Sequence, residues 1–375
     1  MTFSLSDVSN LVQKAEKKIA PLDRSFVGVD IGASSTKIVQ LAVIDDVVTL
    51  ETYGEIGTVS PACTESAQGS LVSQVARSAE LSDLLHEVNA QSRNCGVAVS
   101  LAEAFINTID LPKRDPEQMR RIIPSEAQKL IPIPVQKVML DWYTLPEAEA
   151  SAFDTLKPHQ QTESHFQKVI VVAVNNETAH RLGGIVSESR LSPSFYEIEM
   201  FSAARACARA ATDSTFILDL GASSTKAYTV NEDWIVCDAR LIPVGGTAIT
   251  GEVMKALSCD LLAAERAKCE RGFSAGSEAS TAIASALAPI WTYAQQMFDD
   301  HTKRGGKPIK HVLLAGGGSY MPDIVDLVSN KLSLPVEVIR SFERTKGPMI
   351  LEDTLREDGP RFAVAVGLAL RGIGR

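Results

Sequence analysis

The sequence predicts an α/β protein of two duplicated lobes with mixed sheets, carrying an inserted α+β subdomain. Three observations predict it. An octapeptide occurs twice, Asp30-Ile31-Gly32-Ala33-Ser34-Ser35-Thr36-Lys37 and Asp219-Leu220-Gly221-Ala222-Ser223-Ser224-Thr225-Lys226, and the copies differ only at Ile31 versus Leu220. Each copy follows one β-rich run and precedes another, so each reads as strand, tight turn, strand. Between the copies lies a block of different texture, and late in the chain a buried strand, His311 to Ala315, runs into Gly316-Gly317-Gly318-Ser319 and a helix. Strand, glycine cluster and helix in that order let a backbone approach a flat ligand or a phosphate closely.

Taken in order, residues 1–24 carry apolar side chains at helical spacing (Leu5, Val8, Leu11, Val12, Ala15, Ile19) and read as an N-terminal helical extension. Residues 25–93 form the first lobe. Its strands are Phe26 to Ile31, Thr36 to Ile44 and Val47 to Ile56, with Asp45-Asp46 as a tight connection, and a helix follows within Thr64 to Gln91. Residues 94–191 read as the inserted interaction subdomain. It has strands at 97–99 and 104–106, a helix over 117–130 interrupted by Pro124, strands over 138–145 and 168–174, a loop over 146–167 and a helix over 178–189. Residues 192–375 form a connecting helix through Ala210, the second lobe, and a closing small-residue helix over 362–370. Thr247 is the expected cap of a helix ending at Leu257, and Glu265 and Lys268 share one face of the next helix.

Composition bounds the function. The 375 residues are 45% hydrophobic and 22% charged, ordinary globular usage for two or three domains. A net charge of −9 argues against nucleic acid as the main partner. The six cysteines form no C-x-x-C pair, and the histidines show no metal-binding spacing. No stretch is apolar and long enough to span a bilayer, and no secretory signal pattern precedes the first strand.

The repeated turn points to phosphate gripping from two sides. A Gly and small residues at a strand turn let backbone N–H groups point at an anion, and Ser and Thr hydroxyls add donors. An Asp closing the preceding strand suits a hydrated Mg²⁺, which takes few carboxylates and keeps water. One such hairpin is weak evidence, because the turn is common for backbone reasons alone; the near-identical pair is much stronger.

Two D-x-G turns, a Glu-x-x-Lys helix and a terminal G-G-G-S strand–helix, in this order, resemble the actin-like ATPase superfamily, which includes actin, chaperone ATPase domains, sugar kinases and the division protein FtsA. The segments LIPIPVQKVMLDW, EIEMFSAARA, LLAGGGSYMPDI and FAVAVGLALRG are similar to the PilM family of type IV pilus assembly proteins. The resemblance implies that Asp30 and Asp219 face Mg²⁺ through water and the terminal phosphates of ATP. Gly32, Ala33, Ser34, Ser35 and Lys37, with Gly221, Ala222, Ser223 and Ser224, supply the two phosphate hairpins. Glu265 and Lys268 approach the ribose and adenine, Gly317, Gly318 and Ser319 close the adenosine pocket, and Glu199 orients water, with Asp219 as its catalytic companion. It further implies a groove beside the inserted subdomain that binds a cytoplasmic peptide of an inner-membrane partner, PilN, together with other pilus components at the inner membrane, a cytoplasmic location, and ATP hydrolysis that is at most slow. A homo-oligomer stays open. So do an FtsA-like division protein, a small-molecule kinase of the same fold and a scaffold that no longer binds nucleotide. Asp323 stands where relatives commonly carry Gly after the Pro.

Overall fold

The computed structural model describes residues 25–58, 69–144, 166–209, 212–273, 278–303 and 306–375. The expected N-terminal helix and residues 146–165 of the expected loop lie outside them. In chain order the first elements are β1 (Ser25–Ile31), β2 (Ser35–Ile44), β3 (Val47–Gly57), α1 (Gly69–Glu87), β4 (Asn94–Val99), β5 (Ala104–Pro112), α2 (Pro116–Gln128), β6 (Val138–Thr144), β7 (Phe166–Asn175), α3 (Asn176–Glu188), β8 (Ser192–Ile198) and α4 (Glu199–Cys207). Then come β9 (Ser214–Leu220), β10 (Thr225–Val230), β11 (Val236–Ile242), α5 (Gly246–Leu257), α6 (Leu261–Arg271), α7 (Glu278–Lys303), β12 (Ile309–Ala315), α8 (Ile324–Leu332), β13 (Val336–Val338) and α9 (Glu352–Gly372).

The duplication is visible in the topology. One sheet runs β3-β2-β1-β4-β8 and the other β11-β10-β9-β12-β13. In each, an antiparallel three-strand meander continues into two parallel strands. The two octapeptides take the same register, Asp30 opposite Lys37 and Asp219 opposite Lys226. Asp45 and Asp46 both have positive φ, as a two-residue hairpin turn requires.

Alternation then divides each sheet into an outer and a seam face. Val27, Val29 and Ile38 pack outward with Leu81 and Leu84 of α1 and Leu182 and Ile185 of α3. Phe216 and Leu218 pack outward with α5, α7 and α8. The opposite faces, including Phe26, Val39, Ile217 and Tyr228, share one core with α4 and α9 in the seam between the lobes.

A third sheet, β5-β7-β6, is antiparallel throughout and covered by Met119, Ile123 and Ala127 of α2. The block expected over 94–191 therefore divides between two sheets. β4 pairs in parallel with β1 and β8, and α3 joins the outer core of the first lobe. Only a three-residue helical turn, Leu101–Glu103, separates β4 from β5, so the passage from one sheet to the next leaves no mark in composition.

The closing helix also differs from expectation. It begins at Glu352 and continues through Gly359-Pro360, and it packs against first-lobe strands rather than belonging to the second lobe alone. Its small residues permit this. A Cβ on Gly28 of β1 would lie 1.9 Å from the Ala365 carbonyl oxygen, and one on Gly367 would lie 1.8 Å from that of Ser202 in α4. Buried Glu197 ties the seam together, accepting from Arg205 at 2.6 and 2.9 Å, Arg371 at 2.6 Å and Ser202 at 2.5 Å. Asp323 has φ +62, the left-handed region that favours glycine, which accounts for the residue type common at that position.

Candidate functional site

Period-two geometry places the repeated aspartates. Asp30 follows Phe26 and Gly28 on the seam face of β1, and Asp219 follows Ile217 on the seam face of β9. The lysines at the far end of each octapeptide lie opposite them in register. Lys226 Nζ is 3.0 Å from Glu199 Oε2 and 3.8 Å from Asp219 Oδ2. Glu199, at the start of α4, turns its other oxygen to the root of the third sheet and accepts from Ser100 Oγ at 3.0 Å and the Leu101 N–H at 2.8 Å. Lys37 Nζ donates to Ser35 Oγ at 2.7 Å and is 3.4 Å from Glu55.

The charges are strongly coupled. Burial pushes the Asp30 carboxyl up to about 6; Lys37 and Lys226 pull it down, while Glu199 and Asp219 add to the rise. Burial likewise raises Asp219, against the pull of Lys226. Burial opposes the charge on Lys226, but Asp219 and Glu199 outweigh it and hold the ammonium protonated. Such a centre is short of positive charge next to its carboxylates.

Both turns close the same way. The Gly32 N–H donates to Ser35 O at 2.9 Å and the Gly221 N–H to Ser224 O at 3.1 Å. Ser34 and Ser223 are exposed at the tips, and Ser35 and Ser224 are buried beneath them. The braces behind the turns differ. Arg77 of α1 donates to Gly32 O at 3.1 Å and Ala33 O at 3.3 Å. The second turn is braced by the start of α5, where the N–H groups of Gly246 and Thr247 donate to Gly221 O and Ala222 O, each at 2.9 Å. Thr247 is thus not the cap. Gly245 is, because a Cβ there would lie 2.5 Å from the Ser224 nitrogen.

The glycine cluster is packed on the same centre. Gly316 has φ +78, and a Cβ on it would lie 2.4 Å from Asp219 Oδ1. Gly318 packs against Leu220, and Gly317 faces open space. Ser319 is buried with its hydroxyl donating to Gly316 O at 2.7 Å, so it shapes the turn. Lys268 is buried behind the second hairpin rather than solvated, donating to Glu265 at 2.8 Å, Thr250 at 2.9 Å and Gly246 O at 3.3 Å. Burial opposes ionisation of Glu265, but the Lys268 and Thr250 hydrogen bonds outweigh it and lower its pKa.

The structure thus gathers Asp30, Lys37, Glu199 and Asp219 with both hairpins, and links Glu265 and Lys268 to them through Gly246. Sequence reasoning missed Lys226, Ser100, Arg77 and Gly245 as site residues. The symmetry of the repeat marked Lys226, and Gly-Gly before a helix marked Gly245. A lone Arg in a helix and a lone Ser before a turn carry no signal.

A cavity of about 640 Å³ lies beyond Glu199, between the third sheet and the second lobe. Thr108 of β5, Ile170 of β7, Ala239 of β11, and Met200 and Phe201 of α4 are among its walls.

The family described as Type IV pilus assembly protein PilM matches residues 28–373. The chain belongs to the PilM family. Of the solved structures, the PilM–PilN type IV pilus biogenesis complex resembles this family member with a TM-score of 0.77 at 24% identity, over 92% of this chain and 98% of that one. The ethanolamine utilization protein EutJ from Carboxydothermus hydrogenoformans gives 0.53 at 14% identity, over 98% and 95%. The PilM-family chain has the actin-like ATPase fold, and its place is in type IV pilus assembly.

Proposed function

We propose that this protein binds Mg–ATP between its lobes and, according to nucleotide state, adjusts its grip on a cytoplasmic peptide of a PilN-type inner-membrane partner. The observation that carries the reading is the convergence of two near-identical Asp–turn–Lys hairpins on one buried charge centre. The donor set fits a nucleotide with its metal. Gly221, Gly245 and Gly316 stand where side chains would fill the cradle, and burial makes ionisation of both carboxyls costly, a cost that added positive charge would offset. Among the described residues no three His, Cys, Asp or Glu side chains are gathered to ligate a metal, so a cation at Asp30 and Asp219 would be held largely by water and phosphate oxygens. Bound Mg–ATP supplies the anionic phosphates that the hairpin N–H groups, Lys37 and Lys226 are arranged to receive, with Glu265 and Lys268 toward the nucleoside.

Glu199 supports the coupling. One of its oxygens holds Lys226 in the charge centre, and the other holds Ser100 and Leu101 at the root of the third sheet. Leu101 and the adjacent Met200 and Phe201 line the cavity, which is the candidate peptide groove. Allosteric coupling of this kind is typically about 1–3 kcal/mol. No helix among the described residues is long and apolar enough to cross a membrane, which supports attachment at the cytoplasmic face through the partner.

Calorimetric titration of Mg–ATP into wild type and Asp219→Asn tests the reading. Expected are binding in the micromolar range, about −8 kcal/mol, and a loss of at least about tenfold in the variant. A folded wild type that binds no nucleotide overturns it.

A further inference from the structure

We infer that Glu55 and Arg361 are positioning residues that set how readily Lys37 turns to phosphate, an inference that rests on the nucleotide reading above. The near-identical octapeptides end on lysines with unlike neighbours. On the third strand of each meander, the residue in register with Lys226 is Leu241, and the residue in register with Lys37 is Glu55. Lys226 is held from outside its own sheet, by Glu199 of α4 at 3.0 Å. Lys37 is held from within its sheet, 3.4 Å from Glu55 Oε1. The other Glu55 oxygen, Oε2, is 3.1 Å from Arg361 Nη1 of α9. One carboxylate thus serves two cations, one on a phosphate hairpin and one on the helix that fills the seam.

The two cations are not equally free to leave. Arg361 is fixed on its other sides. It pairs with Asp358, which also accepts from Tyr53 Oη of β3 at 3.0 Å, and its guanidinium lies 5.2 Å from the centre of the Tyr320 ring. Tyr320 ends the glycine-cluster turn and donates to the Glu357 carbonyl of α9. Beside Arg361, the Pro360 carbonyl accepts from the Gly316 N–H at 2.9 Å. Burial opposes the Arg361 charge, but Asp358 and Glu55 outweigh it. Lys37 carries its charge on a flexible four-carbon stem and also donates to Ser35 Oγ within its own turn, at 2.7 Å. A phosphate at the first hairpin competes with Glu55 for this lysine. Arg361 eases the exchange, because Glu55 keeps a cation when Lys37 departs, and a partly buried carboxylate stripped of its partner is destabilising. Without Arg361, Glu55 grips Lys37 harder. Without Glu55, Lys37 is released toward phosphate and Arg361 has nothing to act through.

The test is a double-mutant cycle in the full chain, followed by calorimetric titration of Mg–ATP, with urea unfolding to establish that each variant is folded. Expected are a gain in affinity of about threefold for Glu55→Gln and a loss of about threefold for Arg361→Gln, the scale of a partly exposed ion pair. Arg361→Gln made on top of Glu55→Gln should change affinity by less than about 1.5-fold. Residues that merely held the fold together would weaken binding in both single variants. An Arg361 that attracted phosphate by its own charge would weaken binding equally with and without Glu55. Either pattern overturns the inference and leaves the nucleotide reading intact. So does a folded Glu55→Gln protein that binds Mg–ATP no tighter than wild type, and that variant decides alone if Arg361→Gln does not fold. A folded wild type that binds no Mg–ATP overturns both.

Discussion

Asp30 is a carboxyl whose ionised form is poorly supported by the ligand-free protein. Its folded pKa of about 6 lies above its unfolded value of 3.8, so between those pH values the folded state holds more protons. Stability from this group is therefore present at low pH and lost as pH rises through 6. Asp30→Asn removes the penalty. The expected outcome in urea unfolding is a gain of about 1–3 kcal/mol at pH 7 that shrinks below pH 6 and is gone near pH 4, where the wild-type carboxyl is already protonated. Mg–ATP affinity should fall in the same variant; a variant less stable than wild type at pH 7 would contradict the argument. The equivalent placement of Asp30 and Asp219 was legible in the sequence because the octapeptide is repeated with one change and takes the same register in both sheets. The partners Ser100 and Arg77 were not, since their roles arise from contacts between residues 99 and 45 positions apart.

The seam is governed at the level of elements by how closely α9 approaches β1 and α4. Gly28→Ala should cost roughly 3 kcal/mol, because its new Cβ meets a backbone carbonyl that no rotamer change can move. Gly251→Ala in α5, where a Cβ meets nothing within 4 Å, should instead stabilise by about 0.5–1 kcal/mol. Thermal melting of the pair checks both signs. The strands and hairpins were readable from alternation and from the Asp45-Asp46 turn. The full length of α9 was not, because Gly359-Pro360 reads as a break; here Pro360 is buried in the seam and its carbonyl accepts from the Gly316 N–H at 2.9 Å. The assignment of β4 and α3 also escaped the sequence, since alternation reports that a strand is buried but not which sheet buries it.

Over the whole molecule, two lobes, a third sheet and a cavity meet at one carboxylate. Ser100→Ala removes one of the two hydrogen bonds by which Glu199 holds the root of the third sheet, and leaves the hairpins untouched. Expected is Mg–ATP affinity within about threefold of wild type, with the effect of ATP on peptide affinity reduced by about 1 kcal/mol of coupling. Titrating peptide with and without nucleotide in both proteins measures this. An undiminished nucleotide effect would show that the two sites communicate by another route.

The position of α9 has a consequence for how the protein is made. Its residues 352–372 cover the inner faces of strands that leave the ribosome more than three hundred residues earlier. Until that helix emerges, the β1–β2–β3 meander has an outer core but an uncovered inner one. The inner core of the first lobe is therefore completed only by the last helix made, which places its closure among the late steps of folding.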